Sequence, residues 1–274
     1  MCFLGLLSVQ NIWAVPDPTL EEILDGHRKS IGSAADRQKM FNLTAVGEVG
    51  FVTSVQTTAP YVGKAVYATE SDKLLLAIKF DSAVYQMEKI VFDGKSQFVA
   101  FSQPGQRSIL GDFMFRYSII LKQALMMGVL SKNWALLNPE QGKAKVSLDG
   151  TKKIDGQETY VINYEPKKGS DVRIKIYLDK ATFRHVRTEY SRLNSAGASS
   201  NPNTSSQLSE NHENMTEEYS DFKTEYGVTL PRTYKIKLYI ERNRAIYENS
   251  YTFKFQEFFY NSKLDDKTFV TDAR

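Results

Sequence analysis

Between two long series of period-two runs lies one nearly unbroken apolar stretch, Ile109 to Leu130, and any fold for this chain has to find cover for it. Leu110, Phe113, Met114, Tyr117, Leu121, Ala124, Leu125 and Gly128 recur at spacings of three, four and seven, which mark one face of an α-helix. Phe115, Ile119, Ile120, Met126 and Met127 make the other faces apolar too, so such a helix must be buried nearly all round. Asp112, Arg116, Lys122 and Gln123 argue against a membrane span, since each charge costs roughly 3 kcal/mol near the bilayer centre. Asp112 and Arg116 instead have the i, i+4 spacing of an exposed ion pair. Two readings stay open: a packed core helix, or a cover over a hydrophobic cavity.

The flanking runs read as strands. Phe41, Leu43, Ala45, Gly47, Val49 and Phe51 share one face of a first strand, with Asn42, Thr44 and Glu48 on the other. Tyr61–Thr69, Lys73–Phe80, Tyr85–Phe92 and Lys95–Phe101 follow it. After the apolar stretch come Ala144–Leu148, Gln157–Glu165, Val172–Leu178, Phe183–Tyr190, Thr216–Tyr226, Tyr234–Ile240 and the run of Tyr251, Phe253 and Phe255. Connections as short as Asp93-Gly94 force antiparallel neighbours. No solenoid period is present, so one large curved sheet of about eleven strands is predicted. The 15 tyrosines and 16 phenylalanines favour sheet over helix bundle. Ahead of the strands a helix is predicted, with Asp17 as N-cap, Pro18 at its first position, a stripe of Leu20, Ile23, Leu24, His27 and Ile31, and Gly32 at its end. Asn194 to Asn214, rich in Ser, Asn and Gly, reads as a flexible surface loop inside the same domain.

Met1 to Ala14 is apolar and precedes a polar, proline-containing segment, the pattern of a signal-peptide remnant cleaved near Ala14. This leaves residues 15–274 as a single exported domain. The only cysteine, Cys2, falls in that remnant, so the mature domain would have no disulfide, zinc–cysteine cluster or catalytic thiol. His27, His185 and His212 sit on a helix, a strand and a loop without metal-ligand spacing. Ser220 to Lys223 matches Ser-x-x-Lys without its companion motifs, and adjacent Asp265 and Asp266 are poorly placed for paired acid–base work. These omissions argue against an enzyme and against any cofactor or metal. A formal charge of +3 gives no case for nucleic acid. Arg173, Lys175, Arg184, Arg187 and Arg192 make one sheet face basic, either for solubility or for contact with anionic lipid or a partner.

An N-terminal amphipathic helix, a meander carrying Phe92-Asp93-Gly94-Lys95, an interrupting helix and a second meander now stand together. With them go the turn Gly227-Val228-Thr229-Leu230-Pro231-Arg232 and the ending Tyr260-Asn261-Ser262-Lys263-Leu264-Asp265-Asp266-Lys267-Thr268-Phe269. This combination resembles the LolA/LolB-like superfamily of outer-membrane lipoprotein-sorting proteins, which includes the N-terminal domain of RseB. The resemblance implies a half-open antiparallel β-barrel with helices closing its mouth over an apolar cavity for acyl chains. LolA-type carriers take lipoproteins across the periplasm, whereas RseB-like members bind signals and regulate. The chain departs from the classical carrier in its length and in the polar insertion Asn194 to Asn214.

On this view the concave face is lined by Phe41, Leu43, Val49, Leu74, Leu76, Ile78, Ile174, Ile176, Ile236 and Phe253. The central helix packs there through Phe113, Met114, Tyr117, Leu121 and Leu125. Burying each acyl methylene contributes about 0.8 kcal/mol, so a chain of a dozen or more could bind without any catalytic group. The expectation is a non-enzymatic periplasmic carrier or binder of lipid or lipoprotein acyl chains. The alternative is an RseB-like sensor or scaffold that meets another protein through its rim or through the loop at Asn194 to Asn214.

Overall fold

In the computed structural model, residues 17–54, 60–167, 170–194, 211–242 and 245–271 are described. The predicted signal-peptide remnant and residues 195–210 of the predicted loop lie outside them.

Strand β1 (Asn42–Thr53) occupies the middle of the sheet because both chain-adjacent and chain-distant partners find it. On one side it pairs with β2 (Tyr61–Glu70), which continues through β3 (Lys73–Phe80), β4 (Met87–Phe92) and β5 (Gln97–Val99). On its other side lies the last strand, β12 (Ala245–Tyr260), with Val49 opposite Phe253. From there the order runs back through β11 (Val228–Arg242), β10 (Asn211–Glu225), β9 (His185–Asn194), β8 (Arg173–Asp179), β7 (Gln157–Pro166) and β6 (Ala144–Ile154). Every pairing is antiparallel, and the sheet has twelve strands where about eleven were expected. Its two edges, β5 and β6, are consecutive in sequence, and residues 100–143 run between them. The sheet is therefore a curved, half-open barrel whose gap is bridged by an insert instead of by hydrogen bonds between edges.

That insert is not the continuous helix the periodicity predicts. It comprises α3 (Ile109–Arg116), α4 (Ile119–Lys122) and a 3₁₀ turn (Gly128–Leu130). Tyr117, at φ −103° and ψ 53°, ends α3, while Ala124 and Met127 adopt positive φ of 49° and 66°. A straight helix of that length would extend about 33 Å and would turn half of its apolar side chains away from the sheet. Breaking it lets Phe113, Met114, Ile120, Leu121, Leu125, Met126 and Met127 all enter the same core, each at most 3% exposed. Phe115 alone among the larger apolar groups of α3 stays 47% exposed, covered on one face by Arg107. The Asp112–Arg116 pair forms as predicted, at 3.1 Å.

The far end of the sheet is covered by α1 (Leu20–Ile31), whose Ile23, Leu24, His27 and Ile31 are buried. Its N-cap is Thr19, not Asp17: the Thr19 hydroxyl and the Glu22 carboxylate cap each other's backbone N–H groups, a reciprocal arrangement that Asp17 cannot match. Gly32 ends it as expected, and a short α2 (Ala34–Lys39), capped by Ser33, follows without prior signal in the apolar pattern. Strand β10 begins at Asn211, inside the segment predicted as loop. No helix among the described residues is long and apolar enough to cross a membrane.

Candidate functional site

Fourteen of the fifteen residues predicted to line the concavity meet in one core. Leu43, Val49, Leu74, Leu76, Ile78, Ile174, Ile176, Ile236 and Phe253 come from the sheet, and Phe113, Met114, Tyr117, Leu121 and Leu125 from the insert. Phe41 does not join them. It precedes β1, is 69% exposed, and has its N–H bonded to Asn261 Oδ1, so the strand's inward face starts at Leu43.

The inward rows also carry three carboxylates whose charge, not their place in the alternation, would assign them to solvent. Glu88 on β4, Glu213 and Glu217 on β10 are each at most 3% exposed, and each receives hydrogen bonds from the insert. Ser108, the N-cap of α3, accepts from the N–H of Gly111 at 2.8 Å and donates its hydroxyl to Glu88. Tyr85 donates to the same carboxylate at 2.6 Å and in turn accepts from Tyr251 at 2.9 Å. At the other end of α3, Arg116 bonds Glu213 at 2.6 Å and the Tyr117 hydroxyl donates to the same oxygen. A helix of two turns thus spans the half-open barrel from β4 to β10, pinned to a carboxylate at each end. Deeper in, the N–H of Met127, freed by the break in the helix, donates to Glu217 at 2.8 Å, and Tyr190 and Tyr234 donate to it as well.

Burial raises the proton affinity of two of these acids. Desolvation pushes Glu88 up to about 7 against the lowering effect of its Ser108 and Tyr85 bonds. Glu217 is raised for the same reason, opposed by Tyr190 and Tyr234.

Beyond the carboxylates the insert ends on rings. Trp134, 1% exposed, donates its indole N–H to His27 Nε2 at 2.9 Å and stacks on His185 at 4.6 Å between centroids. Since an indole can only donate, His27 is neutral with its proton on Nδ1, which donates to the Phe183 carbonyl at 2.9 Å. Burial depresses His27 to about 4 and holds His185 well below the usual histidine range. The two histidines, far apart in sequence, are 6.4 Å apart in space. Gly128 is required here, because at φ 48° a Cβ would lie 2.5 Å from the His185 ring. No group of three or more His, Cys, Asp or Glu side chains that could hold a metal occurs among the described residues.

Where β1 runs toward β2 and β11 toward β12, a groove of about 480 Å³ opens beside the start of α3. Phe51, Tyr61, Val84, Tyr85 and Tyr251 form its apolar walls, and Arg107 and Asn249 lie on it. An adjoining groove of about 640 Å³ shares Gln106, Arg107, Ser108 and Ile109 and adds Phe101, Asp112, Ile240 and Tyr247. This is the mouth of the concavity, and sequence periodicity could not have located it because its residues come from six separate segments. The basic sheet face resolves into ion pairs: Lys175 with Asp149 at 2.8 Å, Arg187 with Glu218 at 2.7 Å, and Arg192 with Asp171 at 3.2 Å.

No family model matches the chain, and no curated protein matches it. Solved structures do. A DUF1329 family protein from Desulfovibrio piger aligns over 93% of this chain and 98% of its own, at 11% identity and a TM-score of 0.49. The LolA superfamily protein NE2245 from Nitrosomonas europaea aligns over 93% and 98%, at 12% identity and a TM-score of 0.49. An outer membrane lipoprotein-sorting protein domain from Vibrio parahaemolyticus, assigned that role as a putative one in its name, aligns over 90% and 95%, at 12% identity and a TM-score of 0.48.

Proposed function

We propose that this chain is a non-enzymatic periplasmic binder or carrier of acyl chains, borne by lipids or lipoproteins, and that the insert occupies the acyl site in the unliganded state. One observation carries the reading. The concave face of a twelve-stranded sheet is filled by an inserted segment broken into short pieces, not by the sheet's own closure. Short pieces held to the sheet at discrete polar points can move apart without unfolding the sheet. Met114, Met126 and Met127, all fully buried, supply the adaptable lining suited to packing either against the sheet or against a lipid tail. Each acyl methylene entering in their place contributes about 0.8 kcal/mol.

Native mass spectrometry of the purified protein, paired with fluorescence of an apolar probe, tests this. A retained lipid, or probe enhancement that a fatty acid reverses, is the expected result. Delipidated, folded protein that binds no acyl probe overturns it. Charged substitutions at Phe113 or Leu121 should damage stability or lipid binding; if neither quantity moves, the concave face loses its role.

A further inference from the structure

The mouth of the concavity contains two polar groups whose bonding is incomplete. Arg107 lies over two rings, its guanidinium 3.8 Å from the Phe115 centroid and 4.5 Å from that of Phe101. Its Nε–H donates to the Val99 carbonyl at 3.2 Å, which fixes the plane and leaves the terminal nitrogens uncommitted. No carboxylate among the described residues pairs with it. Asp112, which shares the adjoining groove, is engaged by Arg116 at 3.1 Å. Asn249, on β12, is 7% exposed, and its Oδ1 is buried without a hydrogen-bond partner although the residue lines the same groove. Leaving a buried amide oxygen unpaired forfeits its hydrogen bonds to water, a cost removed if a ligand donates to it.

Between these two groups and the core lie the apolar walls Phe51, Tyr61 and Val84. An occupant satisfying all of this must be apolar along its length and end in an anion beside a hydrogen-bond donor. A planar guanidinium seated over rings suits a phosphate or carboxylate, since its terminal N–H groups can bond two oxygens at once with little further ordering. Behind the groove, Glu88 is capped by Tyr85 and Ser108, and its raised proton affinity lessens its opposition to an anion as pH falls below neutral.

Resting on the acyl-binding reading above, we infer that Arg107 and Asn249 form a head-group subsite at the mouth, selective for an acyl chain that ends in an anionic group flanked by a hydroxyl. Arg107 takes the anion, Asn249 Oδ1 accepts from the hydroxyl, and the tail enters past Phe51 and Tyr251 toward the insert.

The test is displacement of a fluorescent apolar probe by 1-oleoyl lysophosphatidate, by mono-oleoylglycerol, which has the same tail and hydroxyls without the phosphate, and by glycerol 3-phosphate, which has the head without the tail. The full chain should bind lysophosphatidate at least tenfold more tightly than mono-oleoylglycerol and glycerol phosphate weakly or not at all. Arg107→Gln should bring the two amphiphiles within about twofold of each other. Asn249→Asp, which sets a carboxylate against the phosphate with Arg107 intact, should lower the same ratio and gives an independent reading if Arg107→Gln melts early. Equal binding of the two amphiphiles by the native chain, or a ratio that folded variants leave unchanged, overturns the subsite while acyl binding stands. Glycerol phosphate binding as tightly as lysophosphatidate makes this a free-anion site and overturns it too. Failure of both amphiphiles removes the subsite together with the acyl-binding reading.

Discussion

The insert is held differently at its two ends. Around α3 the attachments mix the buried Leu110, Phe113 and Met114 with polar bonds, Ser108 on Glu88 and Arg116 and Tyr117 on Glu213, beside open grooves at the mouth. Around Trp134 they are dry and continuous. The indole stacks on His185, His185 meets Tyr219 at 4.2 Å, and Tyr219, Tyr234 and Phe253 extend a ladder of rings across β10, β11 and β12 at 5.4 and 5.3 Å. Packed rings resist displacement in proportion to the area they bury, whereas a hydrogen bond exchanged for one to water loses about 1 kcal/mol net. On the acyl-binding reading proposed above, the Trp134 end serves as the anchor and the α3 end as the latch.

The largest effect should come from the anchor. Trp134→Ala removes a fully buried indole, leaves a cavity beside two neutral histidines and strips His27 Nε2 of its donor. A loss of about 3–5 kcal/mol is expected in urea or guanidinium unfolding. A loss below about 1 kcal/mol would mean that the ring ladder is loosely packed, and the contrast between the ends would collapse.

A smaller effect, with a distinctive pH signature, belongs to the latch. Glu88 has its folded pKa raised to about 7 from 4.5, so the folded state holds the proton more tightly than the unfolded one. Its contribution is therefore fully present below about pH 4.5 and is lost as pH rises through 7. His27 works in the opposite sense. Its folded value near 4 lies below the ordinary 6.5, so its contribution is present above 6.5 and is lost as pH falls through 4. Glu88→Gln keeps the shape and cannot ionise. Relative to the native chain it should gain about 3 kcal/mol of stability between pH 4.5 and pH 8, read as the difference in unfolding free energy at the two values. A pH-independent difference would show that Glu88 is solvated, and the latch would then be open in the ground state.

Most of the sheet was legible in the sequence because its strands alternate cleanly and their turns are short. Val172 to Leu178 is the plainest case, with Ile174, Ile176 and Leu178 all buried as the period demands. Gly32 and the Asp112–Arg116 pair were equally direct, since each is a local signal. The latch was not legible, because a glutamate on a strand reads as solvent-facing unless its donors are known. Those donors, Ser108, Tyr117 and Met127 among them, belong to a different segment. The break in the insert escaped for a related reason: period and hydropathy report that residues are apolar, not that a curved sheet offers them one common side. Pairing between His27 and His185 depends wholly on the register that brings α1 over β9.

The smallest expected effect probes the latch at its hinge. Ser108 does two things with one hydroxyl: it accepts the Gly111 N–H that caps α3, and it donates to Glu88. Ser108→Ala removes the cap, at about 1 kcal/mol, and leaves Glu88 with Tyr85 as its remaining donor. Since the Ser108 bond lowers the proton affinity of Glu88, its loss should push that affinity higher, and the decline in stability that starts above pH 4.5 should continue to a higher pH than in the native chain. Ser108→Gly, which keeps a tolerable cap residue but removes the same donor, should cost only a few tenths of a kcal/mol in cap energy yet shift the decline equally. If the two variants shift it by different amounts, the capping and latching roles of Ser108 are not separable. The N-terminus of α3 and the carboxylate of β4 must then be treated as one unit that opens together.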